Sequence, residues 1–160
     1  MRKIWIALAS ALTLTTPAFV VPAPAAPVKP ASLRSFFPAT GLPKFIADQW
    51  DLGSFDSALN PDVRPDRRNF ASVGLMPVAS TDTSVTLESG KLRIIIETYA
   101  REDVNHDGLE DVSVCYREQI KGAPGDKRRG TFLLARYSAD TPLIALNMPA
   151  HYNSACEQPR

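Results

Sequence analysis

Between positions 103 and 111 the chain reads Asp-Val-Asn-His-Asp-Gly-Leu-Glu-Asp, which places side-chain oxygens at Asp103, Asn105, Asp107 and Asp111. Such alternation suits a hard cation. Ca²⁺ takes six to eight oxygens at about 2.4 Å, so a short backbone must curl until alternate side chains converge on one point. Gly108 permits the sharp turn after the third ligand. Leu109 follows at position 7, where a backbone carbonyl faces the ion. Asp103, Asp107 and Asp111 set three negative charges against two positive ones, and without a cation they repel one another. The expected ligands are therefore Asp103, Asn105, Asp107, the carbonyl of Leu109 and Asp111, with Ca²⁺ as the cofactor. Mg²⁺ suits the run less well, because it demands tighter octahedral geometry. His106, at position 4, is expected to face solvent. The competing reading is a metal-free turn whose carboxylates cap backbone N–H groups.

Other chemistry is scarce. His106 and His151 have no spacing that suggests a metal pair, and the chain has no Gly-x-Ser-x-Gly elbow, His-Glu-x-x-His helix or phosphate-cradling glycine loop. Glu97 and Glu118 fall on neighbouring strand candidates and could form a hydrolytic pair, although a charged outer sheet face accounts for both. The balance is against catalysis. Basic side chains gather in Lys121–Gly130, around Lys127-Arg128-Arg129, and again in Asn60–Arg68. Interleaved aspartates at 62 and 66 make the second of these a self-neutralised loop.

The elements that hold the acidic run are β-strands. Lys91–Ala100 alternates with Leu92, Ile94, Ile96 and Thr98 on one face and Arg93, Ile95, Glu97 and Tyr99 on the other. After the run, Val112, Val114 and Tyr116 alternate against Ser113, Cys115 and Arg117. Thr131–Ser138 and Pro142–Met148 flank a turn at Ala139-Asp140-Thr141, and shorter strands are expected at Val73–Val78 and Val85–Glu88. Residues 44–59, with Phe45, Ile46, Trp50, Phe55 and Leu59, permit a short helix and a turn at Asp51-Leu52-Gly53. These aromatic residues are expected to fill a core, although such a cluster can also stack on sugars. The fold class is α+β or mostly β: a single small domain with an antiparallel sheet and a short N-terminal helical segment.

With these flanks in place, the acidic run resembles the D-x-[DN]-x-D-G-x-x-D calcium loops of EF-hands, dockerins and the FG-GAP repeats of integrin-type propellers. Val114 stands where an EF-hand has its bidentate glutamate, and strand-like flanks depart from a helix–loop–helix. The FG-GAP type is the nearer likeness. It joins two strands and takes its last side-chain ligand from position 9, here Asp111. The single copy implies no propeller.

The N-terminus indicates export. Met1-Arg2-Lys3 is cationic, Ile4–Leu14 is apolar apart from Ser10 and Thr13, and Ala23-Pro24-Ala25 supplies small residues for cleavage. The expected organisation is a signal peptide over 1–25, an extended proline-rich leader over 26–43, and a single β-rich domain over 44–160. The apolar run is about half the ~20 residues needed to cross a bilayer, so no transmembrane segment is expected once the signal is removed. Loss of Arg2 and Lys3 from 18 basic residues leaves 16 against 17 acidic ones. That near-neutral balance gives no general attraction for nucleic acid. In a periplasmic or secreted setting Cys115 and Cys156 are expected to form a disulfide that ties the C-terminal tail to a strand. The composite expectation is an exported, non-catalytic calcium-binding module whose partner is a protein or an envelope component. The alternatives are a hydrolase with Ca²⁺ near its site, and an inhibitor or adaptor that uses the basic loop.

Overall fold

The computed structural model describes residues 33–55, 64–66, 68–146 and Cys156. The expected signal peptide lies outside these residues, as does the first part of the expected leader, residues 26–32.

Six strands form one antiparallel sheet in which every strand pairs with its successor: β1 (Met76–Ser80), β2 (Ser84–Ser89), β3 (Leu92–Glu102), β4 (Asp111–Ile120), β5 (Arg128–Ala135) and β6 (Ile144–Leu146). The longest pairing joins β3 to β4, running from Leu92 opposite Ile120 to Glu102 opposite Asp111, with one bulge between Thr98 and Ala100. The acidic run is thus the connection that closes this hairpin, between the two strands as expected.

Period-two patterning decides which residues face the core. Ile94 and Ile96 on β3, Val85 and Leu87 on β2, and Val112, Val114 and Tyr116 on β4 share one face and are fully buried. Helix α1 (Leu42–Gln49) covers that face through Leu42, Ile46 and Ala47, whose spacing makes one helical stripe. Pro43, expected in the extended leader, instead sits in the first turn of α1, where a missing N–H breaks no helical bond. The helix stops at Trp50, whose extended backbone turns the chain into a 3-10 turn at Leu52–Ser54.

Trp50 is fully buried among Phe55, Phe70, Tyr116 and Phe132, with ring centroids 4.7–5.9 Å apart. Most of these pairs meet edge to face, the arrangement favoured by the aromatic quadrupole. The cluster is core, as its composition predicts.

Three expectations need correction. The strand predicted over 73–78 starts at Met76, because Ala71–Val73 form a 3-10 turn that Gly74 closes at φ 84°. The strand predicted to reach Ser138 ends at Ala135. Arg136 leaves the sheet to donate to the carbonyls of Thr141, Ala139 and Phe36, and stacks over Phe45. Finally, β4 is not half-exposed: Ser113 and Cys115, on its second face, are as buried as the valines between them. It is a central strand covered on both sides, and Cys156 is bonded there to Cys115 with their Cα atoms 5.1 Å apart. The expected disulfide is present.

Two further contacts lie outside the meander. Trp50 bridges Leu143, and Arg34 bridges Leu109, each in parallel register.

Candidate functional site

Asp103, Asn105, Asp107 and Asp111 each turn back onto the backbone of the 103–111 loop. Asp103 accepts from the N–H of Asp107 at 3.0 Å through Oδ1 and from that of Gly108 at 2.9 Å through Oδ2. Asn105 Oδ1 accepts from the same Asp107 N–H at 3.1 Å, so the oxygens of positions 1 and 3 stand side by side over one donor. Asp107 accepts from the N–H of Leu109 at 2.8 Å and from the Asn105 amide at 2.9 Å. Gly108 takes φ 81°, the left-handed conformation its position was expected to need. His106 takes φ 61°, the one non-glycine residue in that region among those described, and it is exposed as expected. Holding a side-chain-bearing residue there costs about 1–2 kcal/mol, so the surrounding hydrogen bonds must over-determine the turn.

Asp111 differs from the other carboxylates of the loop. It is 1 % exposed, at the first position of β4, and its carboxylate turns back toward the loop entrance. Oδ2 accepts from the N–H of Val104 at 3.2 Å, while Oδ1 has no hydrogen-bond partner. Burial, with the nearby charges of Asp107 and Asp103 acting in the same direction, pushes this carboxyl up to about 6 against hydrogen bonds that lower it. A buried carboxylate oxygen with neither donor nor counter-charge is costly unless something cationic meets it.

The remaining donor is set by the backbone. The Arg34–Leu109 bridge uses the carbonyl of Gly108, which accepts from Arg34 N–H at 3.3 Å, and the N–H of Glu110, which donates to the Arg34 carbonyl at 2.8 Å. In extended chain the peptide groups of neighbouring residues point to opposite sides. Leu109 therefore turns its own N–H and C=O away from Arg34 and into the loop, where the N–H meets Asp107.

The loop thus contains the donor chemistry of a hard-cation site: three carboxylates, one amide oxygen and one directed carbonyl. A carboxylate has about four acceptor positions, so accepting an N–H leaves capacity for an ion. Among the described residues, however, no three His, Cys, Asp or Glu side chains already stand gathered to hold a metal between them. The same side chains are arranged as Asx turns, the alternative that the sequence left open.

Glu110, at position 8, faces outward. Arg101 grips it with two bonds of 2.9 and 2.8 Å, and the Ser35 hydroxyl donates to it as well. The Arg101 guanidinium, foremost, holds the Glu110 carboxyl below the usual range.

Glu97 and Glu118 do not form a pair. Glu97 lies opposite Cys115 and binds Arg117 at 3.2 Å, whereas Glu118 lies opposite Ile94 on the core face. An odd offset along the ladder puts them on opposite sides of the sheet. Glu118 is 1 % exposed and accepts from the Tyr116 hydroxyl at 2.6 Å, so the charged outer face accounts for Glu97 alone. Burial, and then this hydrogen bond, hold the Tyr116 phenol far above its ordinary range.

The basic loop is largely matched internally. Lys121 reaches Glu88 at 3.2 Å, and Asp126 lies 3.9 Å from Arg129 while accepting from Gln119. In the other basic segment, Arg68 binds Asp51, while Asp62 lies outside the described residues.

A cleft of about 490 Å³ opens between the start of α1, the β1–β2 turn and the bulge of β3. Its one carboxylate is Asp82, and no expected calcium ligand lines it. Among the described residues no helix is long and apolar enough to cross a membrane.

No protein-family model matches the chain, and neither a curated protein nor a solved structure matches it significantly.

Proposed function

We infer that this is an exported, non-catalytic module in which Asp103, Asn105, Asp107, Asp111 and the Leu109 carbonyl take up one Ca²⁺. The observation that carries the reading is Asp111 Oδ1: a buried, partnerless carboxylate oxygen at the mouth of a loop whose other two aspartates turn inward. The ion's role is structural. It neutralises three carboxylates and fixes the β3–β4 connection. Export is supported by the cationic and apolar N-terminus and by the Cys115–Cys156 bond, which an oxidising compartment would maintain. A hydrolase with Ca²⁺ near its site has less support, since none of the loop ligands lines the 490 Å³ cleft or a second one of about 280 Å³ beside Asp48, Asp51 and Asp66. An adaptor that uses the basic loop is disfavoured by the internal pairing of Lys121 and Arg129.

Without the bidentate glutamate of an EF-hand, affinity is expected near the ~10⁻⁴–10⁻³ M of extracellular modules. At 10 mM Ca²⁺ that corresponds to about 1.5–2.5 kcal/mol of added stability, or a melting point higher by roughly 5–10 °C than in EDTA. Asp107→Ala should abolish the difference. Superimposable melting curves of the wild-type chain in the two conditions would remove the reading.

A further inference from the structure

The loop has a second side. Where Leu109 turns its peptide groups inward, Gly108 and Glu110 turn theirs outward, and both are taken by Arg34. Ser35 then donates to the Glu110 carboxylate, and its hydroxyl also accepts from the N–H of Phe37, which is buried at 7 % exposure. Arg101 completes the junction. Two of its nitrogens hold Glu110, and the third donates to the Pro38 carbonyl at 3.0 Å. Residues 34–38 are thus fastened to the outer face of the segment whose inner face carries the proposed calcium ligands.

We propose that residues 34–38 form a strap whose docking is thermodynamically linked to calcium uptake by the 103–111 loop. This rests on the calcium reading above and adds to it a mode of regulation. The physical link is the backbone that follows left-handed Gly108, through Leu109 to Glu110. An ion that draws in the Leu109 carbonyl and Asp111 holds this stretch extended, and only an extended stretch presents the Gly108 carbonyl and Glu110 N–H at the spacing that Arg34 uses. Conversely, a docked strap pre-orders the loop and removes part of the entropy cost of gathering its ligands. Linkage is reciprocal, so whatever factor the ion adds to strap docking, the strap adds to ion affinity.

Arg101 allows a test of sign. It carries positive charge close to the site, so electrostatics alone predicts that Arg101→Gln binds Ca²⁺ more tightly. Linkage predicts the reverse, because the variant loses the grip on Glu110 and Pro38 together. The experiment is a calcium titration of the oxidised full domain, wild type against Arg101→Gln and the charge-neutral Ser35→Ala, followed by tryptophan fluorescence or calorimetry. Hydrogen exchange of the wild type is measured in parallel, with and without Ca²⁺. We expect affinity to fall five- to tenfold in Arg101→Gln and about threefold in Ser35→Ala. Exchange at residues 34–37 and at the Glu110 amide should slow when the wild type is loaded. Equal or tighter binding by both variants, or strap exchange unchanged by saturating Ca²⁺, overturns the linkage and leaves the calcium site standing. A wild-type chain that takes up no Ca²⁺ at 10 mM overturns both.

Discussion

Asp51 and Asp111 are both buried acids at the edges of structural elements, yet their surroundings differ in kind. Asp51 caps the 3-10 turn by accepting from Gly53 N–H at 2.9 Å, and Arg68 engages both of its oxygens. Every part of that corner is answered within the chain. Asp111 is approached by the backbone N–H groups of Val104 and Asn105, keeps one oxygen without a hydrogen-bond partner, and has two acidic neighbours. The contrast shows how to separate a buried carboxylate that builds a fold from one that awaits a ligand. The first brings its own counter-charge; the second is surrounded by its own sign.

Substitutions can sharpen this comparison or break it. Asp51→Ala should have the largest effect, about 3–4 kcal/mol of lost stability, because it removes a cap and two charge-assisted bonds. Denaturant melts should show the same loss in EDTA and in Ca²⁺. A loss that shrank on adding calcium would mean that the two acids are coupled rather than independent.

Asp111→Asn should act in the opposite direction. The folded, metal-free chain holds the Asp111 proton with a value near 6 against an ordinary 3.8, so between those pH values it binds more protons than the unfolded chain. Stability conferred by this group is therefore complete below about pH 4 and is lost as pH rises toward 6. In EDTA at pH 7, Asp111→Asn should be more stable than wild type by about 2 kcal/mol, with no gain at pH 4. In 10 mM Ca²⁺ the wild type should gain about 1.5–2.5 kcal/mol and close this gap, whereas the variant should gain little. A variant less stable than wild type in EDTA at pH 7 would show that Asp111 is satisfied without a cation.

The smallest effect belongs to Asp48, an exposed acid that pairs with Lys44 at 2.6 Å one helical turn away. Asp48→Asn should change stability by less than about 0.5 kcal/mol in either buffer. It calibrates what an acid is worth when water already solvates it.

Much of this was legible in the residues. The alternation in 91–100 and 112–117 locates the two long strands, and Gly108 fixes the turn between them. The Cys115–Cys156 bond follows from two cysteines in a chain whose N-terminal pattern leads one to expect an oxidising compartment. Local pattern could not reveal long-range register. That Glu118 faces the core follows from its position opposite Ile94, and a single strand viewed alone does not contain that information. Nor does sequence show that β4 is covered on both faces, because Ser113 and Cys115 are small enough to read as a polar outer row. The pairing of Arg68 with Asp51 was missed for a related reason, since aspartates closer in sequence offered an obvious local partner. The strap at residues 34–38 carries no motif, and its bonds to the loop are mostly backbone bonds that any residue types could make.

The order of the sheet bears on how such a chain folds as it is synthesised. Because each strand pairs with the next one to emerge, the meander can be laid down progressively, with little waiting between partners. The two parallel bridges cannot. Arg34 must wait for Leu109 and Trp50 for Leu143, so these early segments are secured only after a long stretch of later chain is in place. Until then α1 and its aromatic neighbours have no finished sheet to cover. This architecture assigns its vulnerable interval to the leading end, the part longest exposed to proteases and chaperones while the rest is made.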